Sequence, residues 1–169
     1  MIDPAQHLVL VGLMGSGKTT VSRVIAERLQ RRVLDSDAVI EARTGRTVRE
    51  IFATDGEVAF RTLESEVLAE ALASDEPVVI AAAGGVVLSE VNRAALAASR
   101  AKVVWLCADP LVLVDRVKSG AHRPLLDGDA QGTLLRMAAD REPLYREVAD
   151  AIVSVDNRSV SDIVEAILR

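Results

Sequence analysis

The chain has 169 residues, of which 50% are hydrophobic and 27% charged, a composition typical of one globular domain with a sizeable core. A net charge of −5 and 2% aromatic residues argue against a nucleic-acid partner, which would need a basic face with stacking rings. Cys107 is the only cysteine, so an internal disulfide is excluded, and with two histidines a zinc site is not expected. A polar N-terminus and the lack of any long apolar run predict a cytoplasmic protein without a membrane partner.

The first predicted strand, loop and helix contain the strongest motif. Residues 7–11 are an apolar run of strand length, and a helical pattern covers about 18–30. Between them, residues 12–20 read Gly-Leu-Met-Gly-Ser-Gly-Lys-Thr-Thr, which fits the phosphate-loop pattern G-x-x-x-x-G-K-[ST]. Lys18 can reach terminal phosphates and the Thr19 hydroxyl can ligate Mg²⁺, while the loop amides form an anion-binding nest. The strand–loop–helix order favours binding of a nucleoside triphosphate over a plain glycine-rich turn.

Apolar runs and helical patterns alternate through the rest of the chain. Further strands are predicted at residues 32–34, 78–81, 102–107 and 151–154. Helices are predicted at about 38–43, 57–72, 89–98, 109–118, 133–141 and 159–168, with a capping box at Thr47 and a break at Pro143 before a continuation over 144–148. Residues 119–129 have no period and predict a mobile loop. This alternation predicts a single α/β domain over residues 1–169 with a parallel sheet.

Candidate acids follow the second predicted strand. Asp35 and Asp37 stand two residues apart, where the carboxyl end of a parallel strand faces the ligand crevice. One of them can approach a metal ion while the other faces the phosphate acceptor. The competing interpretation is a solvated turn in which Asp37 caps a helix.

Candidate arginines occur on two helices and in the mobile loop. Arg61 shares a helix face with Glu64, which is also consistent with an ordinary surface ion pair. Arg141 has the same ambiguity. Arg123 lies in the loop, where it can move over a triphosphate and stabilise charge on the transferred group, or can simply be solvated. Tyr145 is expected to pack a helix against the sheet.

Six segments in this order resemble the shikimate kinase family. They are Gly12–Thr20, Leu34–Glu41, Ile51–Glu64 with its Phe-Arg-x-x-Glu element, Gly84–Val87, Arg-Pro-Leu-Leu at Arg123–Leu126, and Arg-Glu-Pro-Leu-Tyr at Arg141–Tyr145. The resemblance implies a three-layer P-loop kinase fold, with a five-stranded parallel sheet, helices on both faces and a mobile lid. It also implies transfer of the ATP γ-phosphate to the 3-hydroxyl of shikimate, a substrate-binding region at about 35–64 and a lid at about 118–132.

The resemblance assigns roles to individual positions. It implies that Lys18, Asp37 and Arg123 are catalytic, and that Thr19 and Asp35 hold Mg²⁺. Shikimate would contact Asp37, Arg61, Gly84, Gly85 and Arg141, with the two arginines on its carboxylate. ATP would contact the following residues of the phosphate loop and of the arginine set: Gly15, Ser16, Gly17, Lys18, Thr19, Thr20, Arg116, Arg123 and Arg158. Two arginines and one aspartate are suited to a small carboxylate that bears hydroxyls.

One departure from the family pattern leaves the acceptor open. The family usually has three glycines where this chain has Ala83-Gly84-Gly85. If the first position needed a positive φ, alanine would cost on the order of 1 kcal/mol. A kinase for another polyol or sugar acid, such as gluconate, is therefore the alternative. A non-catalytic nucleotide switch is less supported, because no guanine-reading Asn-Lys-x-Asp segment is present. A monomer is expected.

Overall fold

Five parallel strands form one sheet in the computed structural model, which describes residues 2–118 and 128–169, except for the side chain of Lys118. The strands are β1 (Leu8–Val11), β2 (Val33–Asp35), β3 (Val79–Ala81), β4 (Lys102–Cys107) and β5 (Ala151–Ser154), in the spatial order β2-β3-β1-β4-β5. The central strand β1 pairs with β3 and β4. All four of its residues are fully buried, so both faces of the sheet are covered, because neighbouring side chains of a strand point to opposite faces. The predicted α/β fold is confirmed.

Helices follow each strand within the described residues. They are α1 (Lys18–Leu29), α2 (Ser36–Thr44), α3 (Val48–Thr54), α4 (Gly56–Leu72), α5 (Glu90–Ala98), α6 (Pro110–Lys118), α7 (Ala130–Val148) and α8 (Val160–Leu168), with a 3₁₀ turn at Val86–Leu88. No helix in the described ranges combines the length and the apolar character needed to cross a bilayer. The predicted mobile loop lies outside the described residues except for positions 128 and 129.

Side-chain caps begin several of these helices. The predicted capping box forms at Thr47 with Glu50, and a second one, which was not predicted, forms at Ser159 with Asp162. The cap of α2 differs from the predicted alternative, because the Asp35 carboxylate accepts a hydrogen bond from Ala38 N and Asp37 lies inside the first turn. Strand β2 therefore passes directly into α2 at Asp35, one residue later than predicted.

Helix α7 is longer than the sequence pattern predicted. It begins after Asp129, whose side chain accepts from Gly132 N, and it continues through Pro143 without a break. Proline removes one backbone donor and costs about 3 kcal/mol inside a helix. Buried residues along one stripe of α7 offset this cost; they are Leu134, Ala138, Arg141 and Tyr145.

In the part of the chain that the structure describes, the buried apolar residues form two clusters. The main cluster surrounds the sheet and includes Leu68 and Ala71 from the C-terminal half of α4. A second cluster joins α2, α3 and α4, with Ile40, Ile51, Phe60 and Val67 at its centre. The elements that follow β2 therefore have their own small core.

Candidate active site

A cleft at the carboxyl ends of β1, β2 and β3 brings most of the predicted site residues together. Its volume is about 400 Å³. The predicted residues that line it are Gly15, Gly17, Lys18, Thr19, Thr20, Asp35, Asp37, Arg61, Gly84, Gly85 and Arg141. These residues come from five separate segments of the chain, so the cleft exists only because the parallel strands end at the same edge of the sheet.

The phosphate-loop sequence folds tightly between β1 and α1. Gly17 is the N-cap of α1 with a φ of 93°, a conformation that residues with a side chain rarely adopt. A Cβ on Gly12 would lie 2.6 Å from Leu106 O, so only glycine fits between the loop and β4. Lys18 Nζ donates to Gly12 O at 2.7 Å and to Leu13 O at 3.0 Å. The buried Ser16 hydroxyl has no hydrogen-bond partner among the described residues, which suits a loop built around an external anion.

The side-chain oxygens of Thr19 and Asp35, the two residues predicted to hold Mg²⁺, are in contact beside this loop. Thr19 Oγ1 donates to Asp35 Oδ2 at 2.5 Å, while Asp35 Oδ1 caps α2. Hard oxygen donors of this kind fit Mg²⁺, which is usually held by one or two protein groups together with substrate phosphates and water. Within the described ranges, no group of three or more His, Cys, Asp or Glu residues could hold a metal ion alone. The donor set therefore fits a magnesium ion that arrives with a nucleotide.

A buried ion pair lies at the other end of the cleft. Arg61 Nη1 donates to both carboxylate oxygens of Glu64, at 2.8 and 2.7 Å, and Arg61 also contacts Glu57. Glu64 is 2% exposed, and its burial raises the pKa of the carboxyl group although Arg61 opposes that shift. Asp37 and Arg141 also act electrostatically on Glu64. The acid and both arginines predicted for the acceptor thus share one electrostatic environment.

Backbone without side chains forms the floor of the cleft. A Cβ on Gly85 would lie 1.9 Å from Arg61 Nη1, and a Cβ on Gly84 would lie 3.3 Å from Gly12 O. Ala83 is buried beside them and does not have a positive φ. The strain considered for Ala83 is therefore absent, and its methyl group changes only the volume of the floor.

Sequence reasoning did not assign a site role to Glu64 or Tyr145. Tyr145 is fully buried, and its hydroxyl donates to Gly84 O at 2.5 Å. The sequence did contain a signal for each of them. Glu64 follows Arg61 by three residues and Tyr145 follows Arg141 by four, and both spacings place the residue on the same helix face as its arginine. Phe52 and Phe60 add an apolar wall to the cleft, with ring centroids 4.8 Å apart.

The remaining predicted residues lie elsewhere. Arg116 on α6 approaches the phosphate loop, with Nη1 3.4 Å from Gly15 O. Arg158 lines a separate surface depression with residues of α8, among them Asp162, and does not line the cleft. Arg123 lies outside the described residues.

Comparisons with known proteins agree with this geometry. Residues 14–169 match the sequence model of a family described as shikimate kinase. A shikimate kinase from Symbiobacterium thermophilum is 49% identical over 165 residues, which cover 96% of this chain and 94% of that protein. A shikimate kinase from Thermobifida fusca is 45% identical over 161 residues, covering 95% and 92%.

Solved structures give the same family. A shikimate kinase from Acinetobacter baumannii, solved in complex with shikimate, has a TM-score of 0.92 at 39% identity and covers 96% of this chain and 90% of that one. A gluconokinase from Sinorhizobium meliloti, at 20% identity and a TM-score of 0.55 over 97% of this chain and 90% of that one, shares the fold alone. The chain therefore belongs to the shikimate kinase family, and it is an ATP-dependent kinase.

Proposed function

We propose that this kinase transfers the γ-phosphate of ATP to the 3-hydroxyl of shikimate. The main support is the set of groups around one cleft: an anion-binding loop at one end, and Asp37, Arg61 and Arg141 around a glycine floor at the other. The Acinetobacter baumannii relative was solved with shikimate, and 39% identity at a TM-score of 0.92 supports the same acceptor here.

Arg61 and Arg141 bind the shikimate carboxylate in this proposal. Glu64 holds Nη1 of the Arg61 guanidinium, and the Nε and Nη2 edge donates to the more exposed Glu57, a contact that an incoming carboxylate would replace. Arg141 is 5% exposed, so its side chain is already ordered before the acid arrives. Planar guanidinium groups match a carboxylate with paired hydrogen bonds, which fixes the ring of the acid relative to the floor.

Asp37 orients the acceptor hydroxyl and takes its proton. Its carboxylate lies in the first turn of α2, close to the positive end of the helix dipole. The hydroxyl oxygen forms a bond to the γ-phosphorus, the bond from that phosphorus to the β,γ-bridging oxygen breaks, and ADP leaves. Lys18 exchanges its contacts with Gly12 O and Leu13 O for the phosphates, and Arg123 keeps its sequence-based role over the transferred group.

Thr19 and Asp35 would hold Mg²⁺, which supplies neutralisation of phosphate charge when it is bound. Arg116 is a better supported ATP contact than Arg158, because Arg116 already contacts the phosphate loop. For Arg158 the resemblance to the family is the only support. A cytoplasmic location and a monomeric state stay predictions.

A coupled ADP-release assay tests the acceptor. Purified protein with ATP and Mg²⁺ should turn over with shikimate, and should be near background with gluconate or without an acceptor. Arg61→Ala should mainly raise the KM for shikimate. Arg43→Ala, which removes the exposed ion pair between Arg43 of α2 and Glu70 of α4, is the matched arginine control. Absence of shikimate-dependent turnover would reject the proposed function.

A further inference from the structure

Tyr145 lies against the cleft but has no part in the proposed phosphoryl transfer. It is the only tyrosine of the chain and is fully buried. It stands one helical turn after Arg141 on α7, and both side chains belong to the buried stripe of that helix. The tyrosine thus reaches the site from the same direction as an arginine proposed to bind the substrate.

The hydroxyl of Tyr145 connects two parts of the acceptor site. It donates to Gly84 O at 2.5 Å, and the positive charge of the neighbouring Arg141 guanidinium acts on it. Its ring stacks on Trp105 of β4, with centroids 5.7 Å apart and planes at 26°. The stacked ring fixes the position of the hydroxyl between α7 and the glycine floor.

Two consecutive glycines need such an anchor. Gly84 and Gly85 have wide backbone freedom, so the peptide plane between them is not set by side-chain sterics. That plane carries Gly84 O on one side and Gly85 N–H on the other, because the peptide bond is trans. A hydrogen bond that holds Gly84 O toward Tyr145 therefore also holds Gly85 N–H in the opposite direction.

We propose that Tyr145 is a positioning residue that holds Arg141 and the Gly84–Gly85 peptide in the arrangement required by the acceptor's carboxylate. The inference rests on the proposed function, since it assumes that Arg141 contacts this carboxylate. Burial raises the pKa of Tyr145 to about 12, so its hydroxyl remains a donor throughout the pH range of an enzyme assay.

Tyr145→Phe tests the inference because it keeps the ring and removes only the hydroxyl. The KM for shikimate should rise about tenfold, as expected for loss of one buried hydrogen bond, while the KM for ATP stays unchanged. Ile163→Val on α8 is the control for a general loss of core packing, and it should lower the melting temperature without changing either KM. An unchanged KM for shikimate in Tyr145→Phe, or an equal rise in the KM for ATP, would overturn the proposal.

A second measurement needs no variant. Because the chain has one tyrosine, biosynthetic incorporation of 3-fluorotyrosine labels Tyr145 alone. Its ¹⁹F resonance should shift when shikimate is added to saturation and should not shift with a non-hydrolysable ATP analogue alone. No shift with shikimate in a protein that phosphorylates shikimate would reject the role of Tyr145 and leave the proposed function intact. Absence of shikimate turnover in the unsubstituted protein would reject the proposed function itself.

Discussion

Gly85→Ala is expected to weaken shikimate binding by displacing Arg61, although Arg61 itself is unchanged. The φ of Gly85 is −91°, so alanine meets no backbone strain there. The new Cβ would lie 1.9 Å from Arg61 Nη1 and 2.3 Å from Cζ. Since ordinary contact begins at 3.4 Å, the guanidinium must retreat by about 1.5 Å.

This displacement removes Arg61 from the position in which it would meet a carboxylate. A hydrogen bond to a charged group is worth about 1.5–3 kcal/mol, so the KM for shikimate should rise roughly 10- to 150-fold. The lower end is expected, because the Arg61 side chain is 20% exposed and can re-form part of its contacts. The free energy of unfolding should fall by only about 1 kcal/mol, since the obstructing atoms belong to a flexible side chain.

Steady-state kinetics with varied shikimate and saturating ATP, together with urea unfolding, measure both effects. Glu57→Gln is the control, because it removes the charge of the more exposed carboxylate that contacts Arg61 and should leave the KM within about twofold. The variant Arg61→Ala/Gly85→Ala should behave like Arg61→Ala alone if the effect passes through Arg61. A KM for Gly85→Ala equal to that of the wild type would refute the assignment of Arg61 to the carboxylate.

Three further changes test the cleft. Asp37→Asn should lower kcat at least about 100-fold, while the dissociation constant for ATP stays within about twofold. Single-turnover and nucleotide-binding measurements check the two values. A kcat near that of the wild type would show that Asp37 is not catalytic. Asp35→Asn keeps an oxygen that can cap α2 but loses the negative charge. The Mg²⁺ concentration for half-maximal activity should therefore rise about tenfold, while the melting temperature of the free protein stays the same. An unchanged Mg²⁺ requirement would contradict the metal assignment. Burial raises the pKa of Glu64 above its ordinary value of 4.5, so the stability that this group contributes is complete below pH 4.5 and is lost as pH rises through the higher folded-state pKa. Glu64→Gln should therefore gain free energy of unfolding relative to the wild type as pH increases above 4.5, and a pH-independent difference in urea titrations would contradict this cause.

Local sequence patterns predicted the architecture well, because strands of apolar residues and amphipathic helices are specified over short windows. The predicted bounds and caps of helices are wrong where contacts between residues far apart in sequence determine the structure. Pro143 was expected to break a helix, but the buried stripe of α7 continues across it. Asp37 was considered as the cap of α2, but Asp35 takes that position because β2 extends to it.

The candidate site shows the same division. The phosphate loop and its glycines can be read directly, since the motif is contiguous. Burial of Glu64 and the contact between Tyr145 and Gly84 depend on α4, α7 and the end of β3 meeting, which no local pattern reports. Ala83 raised the question of strain, and only its backbone conformation could answer it.

The second hydrophobic cluster has a consequence for how substrate and protein stability are linked. Asp37 and Arg61 are attached to helices that pack on this cluster, whereas Lys18, Gly84 and Arg141 are attached to elements of the main core. A bound acid that contacts residues of both sets links the two cores, which otherwise share helix α4. Binding of this acid raises the free energy of unfolding of the smaller core, and the increase grows with the logarithm of the concentration of the acid. The rate of hydrogen exchange in α2 and α3 should therefore slow more with added substrate than the rate in β1. The reason is that the smaller core has fewer stabilising contacts of its own.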